Sequence, residues 1–174
     1  FGPQKGASEK QVLQLEAALT QFSKITLAVT GIDMADIVHG GAAGGVAAGL
    51  HTFLDARLVN GIDYFLDITG FDKALQKADI LITGEGSIDR QTLEGKAPYG
   101  VAVRAKRKNI PVIAVAGKLP DQNHQELNML FDVLLAIGHE PTDIHTAMLS
   151  TGEDLARLVR QLGNLLAITK EGNC

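Results

Sequence analysis

The sequence has a single cysteine, Cys174, so no disulfide can close within the chain. With no signal sequence either, a reducing cytosol is the expected compartment. No apolar run approaches the ~20 residues that cross a bilayer, which argues against a membrane span. Positive charge is not in excess. Sixteen Lys and Arg stand against twenty Asp and Glu, a net charge of -4, whereas a nucleic-acid surface usually shows a basic patch. The five histidines, His39, His51, His124, His139 and His145, lack metal-ligand spacing and are expected to be structural or exposed. No Ser-His-Asp arrangement stands out, and Cys174 at the terminus is not expected to act as a nucleophile. No internal repeat, low-complexity segment or linker is visible.

What remains is an ordinary globular composition, 45% apolar and 21% charged over 174 residues. A chain of this length buries roughly 70% of its extended surface on folding. Glycine is the outlier: 19 residues, against a typical share of ~7%. The chain opens with Phe1-Gly2-Pro3-Gln4-Lys5-Gly6 and no initiator Met, which reads as a fragment or a processed chain.

Ser8 and Gln11 have the form of a capping box. Val12, Leu15, Leu19 and Phe22 follow at helical spacing, so a helix is predicted over 9–24, with Ile25–Ala28 extending or breaking it and Gly31 as its stop. Gly40–Gly45 is a glycine-rich turn feeding a second helix. Tyr64–Ile68 reads as a strand and Phe71–Lys77 as a short helix. The pattern then becomes regular. The apolar runs Asp79–Thr83, Pro111–Ala116 and Asp132–Ile137 each end at glycine and alternate with helices over 98–108 and 124–130. That alternation predicts βαβ units and a parallel sheet, whose strands are buried on both faces and so lack polar alternation. The tail from Thr142 is predicted helical, in one or two pieces, with a buried stripe of Leu155, Leu158, Leu162, Leu165 and Leu166.

Ligands of parallel sheets sit beyond the carboxyl ends of the strands, which places Thr83–Gln91, Gly117-Lys118 and Gly138-His139 on one rim. Thr83–Thr92 is the richest stretch. Gly84 and Gly86 allow tight turning and close approach of a ligand. Glu85 and Asp89 could hold a metal ion or accept a hydroxyl proton, and Ser87, Arg90 and Thr92 could bond phosphate oxygens. Phosphoryl transfer uses this mixture; a polar loop shaped by glycine would look the same. Gly40–Gly45 could present amides to an anion at a helix N-terminus, or could pack two helices closely. It lacks the Gly-Lys-Ser/Thr ending of a P-loop. Lys96, next to Pro98 in a helix first turn, could meet a phosphate or stay in solvent. Lys5 and Lys118 are open to the same two readings.

Five linked motifs resemble the bacterial glycerate kinase family: Phe1–Ala7, Gly41–Gly45, Thr83–Gly86 with Asp89–Thr92, Gly95–Ala102, and Ala116-Gly117. Their order and spacing cover almost the whole chain. The resemblance implies an α/β kinase in which residues 1–68 belong to a smaller inserted mixed α/β domain and 69–174 to the C-terminal part of a flavodoxin-like parallel-sheet domain, with the active site in the cleft between them. It implies transfer of the γ-phosphate of ATP, with Mg2+, to D-glycerate. Asp89, Glu85 and Lys5 are then the catalytic candidates, with Glu85 as the metal ligand. Gln4, Gly44, Gly45, Gly84, Gly86, Gln91 and Lys96 are the candidates for binding substrate or phosphate. Family members carry a longer N-terminal part with its own lysine-containing glycine-rich motif. Without it, a binding-only or structural fragment is the alternative, and association with that part or with a second copy is expected. His39-Gly40 also replaces the family's usual Gly-Ala-like pair.

Overall fold

A computed structural model describes residues 2–120 and 124–171, with the side chains of Gln4 and of residues 169–171 left aside. Phe1 and Cys174 lie outside the described residues. The chain divides into two compact units, Phe1–Asn60 and Gly61–Cys174.

The first unit is helical. Helix α1 (Glu9–Thr30) starts at the predicted capping box: the Gln11 backbone N–H donates to the Ser8 hydroxyl, and the Ser8 N–H donates back to Gln11 Oε1 at 2.8 Å. Such a cap contributes about 1 kcal/mol. The helix runs past residue 24 to Gly31, which closes it at φ +74°. Nothing in Ile25–Ala28 breaks it, and the Thr30 hydroxyl satisfies the Thr26 carbonyl at 2.7 Å. Helix α2 (Val46–Leu54) packs beside α1 through Phe22 and Phe53, whose tilted rings are 6.1 Å apart.

The second unit opens with α3 (Gly61–Ile68), where a strand is predicted over 64–68. The correction has a visible cause. Arg104 on α5 (Ala97–Lys106) grips Asp63 Oδ1 at 3.4 Å, Asp67 Oδ1 at 2.7 Å and Asp72 Oδ2 at 3.0 Å. Four residues rise about 6 Å in a helix and about 13 Å in a strand, so one guanidinium can reach both Asp63 and Asp67 only if the segment is helical. Ile62 meets α5 at Gly100, where a Cβ would collide with its side chain, and Leu66 is buried. Helix α3 packs with α4 (Phe71–Leu75) and α5, and the second compact unit begins at Gly61.

Strands β1 (Leu81–Ser87), β2 (Val112–Lys118) and β3 (Val133–Ala136) form one parallel sheet in that order. The α/β parallel-sheet class read from the sequence is therefore the class observed. In β2, Val112, Ala114 and Ala116 face a core with Ala102 and Ala105 of α5, Leu127 of α6 (Gln125–Leu130), and Phe131. Ile113 and Val115 face the other way, onto Leu158, Leu162 and Leu166 of α8 (Thr151–Glu171). Both sides of β2 are covered, as its unbroken apolar run predicts. The stripe on α8 is narrower than expected, because Leu155 and Leu165 are exposed. The tail does come in two pieces, with α7 (Ile144–Leu149) capped by Asp143. Asp132 ties the strand starts together: its carboxylate accepts from the Val112 N–H at 2.7 Å and from Lys106 Nζ at 2.6 Å. Among the described residues no helix is long and apolar enough to cross a membrane.

Candidate active site

The register Leu81↔Val112 through Ser87↔Lys118 carries β1 through the whole Gly84-Glu85-Gly86-Ser87 segment. This corrects the expectation that the strand stops at the first glycine and gives way to a loop. Gly84 is needed inside the sheet: a Cβ there would lie 2.5 Å from the Val115 carbonyl oxygen. The close approach it permits is that of β2, with no ligand required. Gly86 has open space where its Cβ would be.

Extended geometry puts alternate side chains on one face. Leu81, Thr83, Glu85 and Ser87 are half-buried, while Ile82, Gly84 and Gly86 are exposed. Glu85 therefore projects toward the turn that follows the strand. That turn is a 3₁₀ helix, Arg90–Glu94, capped by Asp89. Asp89 Oδ1 accepts from the Gln91 N–H at 2.8 Å, and the Ser87 hydroxyl donates to Oδ2 at 3.4 Å. The Ile88 N–H donates to the Lys118 carbonyl at 2.9 Å, and the Ile88 side chain is fully buried, which anchors the turn on the end of β2.

Thr92 is the residue whose role the sequence misassigns. Its side chain is wholly buried, so it does not offer a hydroxyl to phosphate. Its Oγ1 accepts from the Asp89 N–H at 3.2 Å and donates to Glu85 Oε1 at 2.5 Å. Glu85 Oε2 lies 3.7 Å from Lys96 Nζ. Lys96 occupies the N-cap position of α5 without capping it, where a cation opposes the helix dipole; Glu85 offsets that charge.

Beyond the ends of β1 and β2 lies an open cleft of about 350 Å³, lined by Ser87, Asp89, Arg90, Lys118, Pro120 and His124 among others. It sets one carboxylate among two permanent cations. Lys118 lies where its position at a strand end puts it on the rim, whereas His124, just before a helix, has no sequence signal of its own. The third strand contributes to the rim a network that the sequence reading overlooks. His139 Nδ1 is 2.8 Å from Asp154 Oδ1, and Ser150 donates to Asp154 Oδ2 at 2.9 Å. Arg157 approaches Asp154 at 3.6 Å and donates to the Ile137 carbonyl at 2.6 Å. The Ser150 hydroxyl holds the Asp154 carboxyl below its ordinary range, against the effect of burial and with help from His139 and Arg157. Ser150 faces Asp154 and not the imidazole, so the trio does not form a nucleophilic triad. Its signal was the spacing 150, 154 and 157 along one helix side.

Gln91, Lys96, Glu85 and Asp89 are thus brought together in the second unit, with Gly84 and Gly86 in β1. Gln4, Lys5, Gly44 and Gly45 belong to the first unit. Gln4 and Lys5 lie in the turn Pro3–Lys5. Lys5 lines a shallow cleft of about 420 Å³ with Gly6, Ala7, Gln11, Gln14 and Leu15. Gly44 and Gly45 take φ +71° and +94°, and Ala43 beside them takes φ +53°. Three consecutive left-handed residues are easy for glycine and strained for alanine. Such strain marks functional turns, which keeps this loop among the candidates.

Among the described residues no three His, Cys, Asp or Glu side chains converge as a metal cage. A divalent ion that arrives with a nucleotide needs only one or two carboxylates; the carboxylates near this rim are Glu85, bonded to Thr92 and Lys96, and Asp89, in the cleft.

The model of the glycerate kinase family matches residues 1–167. The chain is 37% identical over 171 residues to a glycerate kinase of Bacillus cereus, covering 98% of this chain and 45% of that protein. It is 36% identical over 172 residues to glycerate 2-kinase of Escherichia coli K12, covering 97% and 44%. A crystal structure of a protein provisionally named glycerate kinase 2, from Salmonella typhimurium LT2, superposes with a TM-score of 0.65 at 35% identity, covering 98% of this chain and 44% of that one. The chain thus spans less than half the length of these curated relatives.

Proposed function

Since the chain belongs to the glycerate kinase family, we propose that its rim takes part in moving the γ-phosphate of ATP onto D-glycerate. The observation that carries this reading is the cleft beyond β1 and β2, where the Asp89 carboxylate shares a wall with Arg90 and Lys118. A phosphoryl-transfer site needs fixed positive charge for the phosphate oxygens and a carboxylate for the attacking hydroxyl.

In this reading a glycerate hydroxyl oxygen attacks the γ-phosphorus. The new P–O bond forms as the bond from phosphorus to the β,γ-bridging oxygen breaks, and that oxygen leaves with the electron pair on ADP. The hydroxyl proton passes to the Asp89 carboxylate. Arg90 and Lys118 neutralise charge on the phosphates or on the glycerate carboxylate. Mg2+ bound with the nucleotide would be held by Glu85 and would supply further neutralisation of phosphate charge. Lys96 keeps the Glu85 carboxylate in place. Lys5, Gln4 and the Gly44-Gly45 turn are assigned to holding anionic groups of the substrates.

The test is 31P NMR of the protein with Mg-ATP and D-glycerate. The reading requires a phosphomonoester signal of phosphoglycerate growing with that of ADP. ATP that stays intact, or that yields only inorganic phosphate, contradicts it. The one second reading is binding without turnover. Calorimetry that shows saturable ATP or glycerate binding beside a silent 31P experiment would establish that reading instead.

A further inference from the structure

The structure assigns Thr92 as the residue that positions Glu85 relative to Asp89, through a hydroxyl whose direction is fixed. A threonine hydroxyl has one proton to give and can accept from others. A backbone N–H can only donate. The Asp89 N–H lies 3.2 Å from Thr92 Oγ1, so that oxygen must accept from it, and the hydroxyl proton is left for Glu85 Oε1 at 2.5 Å. The chain of bonds runs one way: Asp89 N–H to Thr92, Thr92 to Glu85, with Glu85 Oε2 then facing Lys96 at 3.7 Å.

Several facts make this a positioning device and not a passive core contact. Thr92 is the one wholly buried polar residue of the turn, and its hydroxyl has no water to turn to. Burying a hydroxyl is unfavourable unless it is bonded, so a valine of the same shape would suit an apolar role better. The residue also closes the cap: its own N–H donates to the Asp89 carbonyl at 3.0 Å while Asp89 Oδ1 takes the Gln91 N–H. The two candidate carboxylates come from a strand and from the turn after it. Thr92 bonds to both residues, and so it sets one relative to the other. Serine would keep the bonds; valine would keep the shape and lose them.

This inference rests on the kinase reading for its consequence in turnover, and not for its geometry, so two measurements separate them. The first is 13C NMR of the Glu85 side chain in the purified protein, unsubstituted and as Thr92→Val and Thr92→Ser. The Glu85 carboxylate signal should move in Thr92→Val and stay near its place in Thr92→Ser, with the backbone amides of β1 and β2 unchanged in both. The second is glycerate-dependent turnover. Removing a hydrogen bond to a charged group should lower kcat about ten- to hundredfold in Thr92→Val. KM for glycerate should hold within about threefold, and Thr92→Ser should recover most of the rate. A Glu85 signal that does not move in Thr92→Val overturns the assignment, as does a Thr92→Val enzyme with undiminished kcat. If the unsubstituted protein transfers no phosphate, the kinase reading fails and the NMR result alone decides Thr92. Should Thr92→Val not fold, Thr92→Ala is measured in the same way.

Discussion

Two glycine-rich segments of this chain look alike in sequence and are built on different physics. In Gly84-Glu85-Gly86 the backbone is an ordinary parallel strand, and Gly84 is there because Val115 leaves no room for a Cβ. In Gly41–Gly45 the space around Gly41 and Gly44 is open, and the requirement is conformational, with Ala43, Gly44 and Gly45 all at positive φ; only Gly40, just before it, is a steric case, with its Cβ position 2.8 Å from the Ile37 carbonyl oxygen. The first segment makes its site with side chains: Glu85, Asp89 and Thr92 are tied by hydrogen bonds. The second can offer little but backbone. Glycine in a sequence therefore says that something backbone-like is constrained; only the coordinates say whether the constraint is a neighbour or a dihedral angle.

The largest effect expected on this contrast is kinetic. Asp89→Asn keeps a side chain that caps helices about as well as Asp and removes only the charge. Turnover should fall about 10²- to 10⁴-fold, while the melting temperature stays close to that of the unsubstituted protein. Gly84→Ala comes next. Its new Cβ meets a carbonyl oxygen that cannot rotate away, so urea unfolding should show a loss of about 3 kcal/mol or more. Gly44→Ala, with no steric neighbour, should lose only the about 1–2 kcal/mol of a left-handed alanine. Equal losses at the two positions would erase the distinction between them.

Acid sharpens the same contrast, because the rim carries hydrogen-bonded carboxylates and the glycine turn does not. Asp154 titrates below its unfolded value, which is near 3.9. Its contribution is complete above that value and is lost as pH falls through the lower folded one. The stability advantage of the unsubstituted protein over Asp154→Asn should therefore be constant near neutrality and shrink below about pH 4. Denaturant titrations across pH check this; an advantage that grows on acidification contradicts it. The smallest effect is Gly41→Ala, at φ -71° with nothing within 4 Å, where stability should be unchanged or rise by up to about 1 kcal/mol.

Much of the second unit was legible in the sequence. Three apolar runs ending in glycine marked the strands, and their parallel order followed from the helices between them. The capping box at Ser8 and the stop at Gly31 were equally plain, because both are local devices. The failures were non-local. Tyr64–Ile68 reads as a strand from its aromatic and branched residues; its helicity comes from Arg104, far along the chain. Strand β1 outruns its apolar residues because its partner β2 continues to Lys118. For the site, the motif Thr83–Thr92 marked side chains that the structure brings together at the end of β1, and misread the surroundings of one of them. Thr92 looked available for phosphate, and burial turns its hydroxyl inward to Glu85. Burial of a polar residue is decided by the fold around it, which no local pattern records.

The account stands most directly on the charge of Asp89. ADP release with Mg-ATP, with and without D-glycerate, should be compared for the unsubstituted protein and Asp89→Asn, with melting curves recorded on the same samples. The account predicts release that depends on glycerate in the first and is nearly absent in the second, at matched melting temperatures. Release that ignores glycerate, or an Asp89→Asn protein that works at the unsubstituted rate, would contradict it.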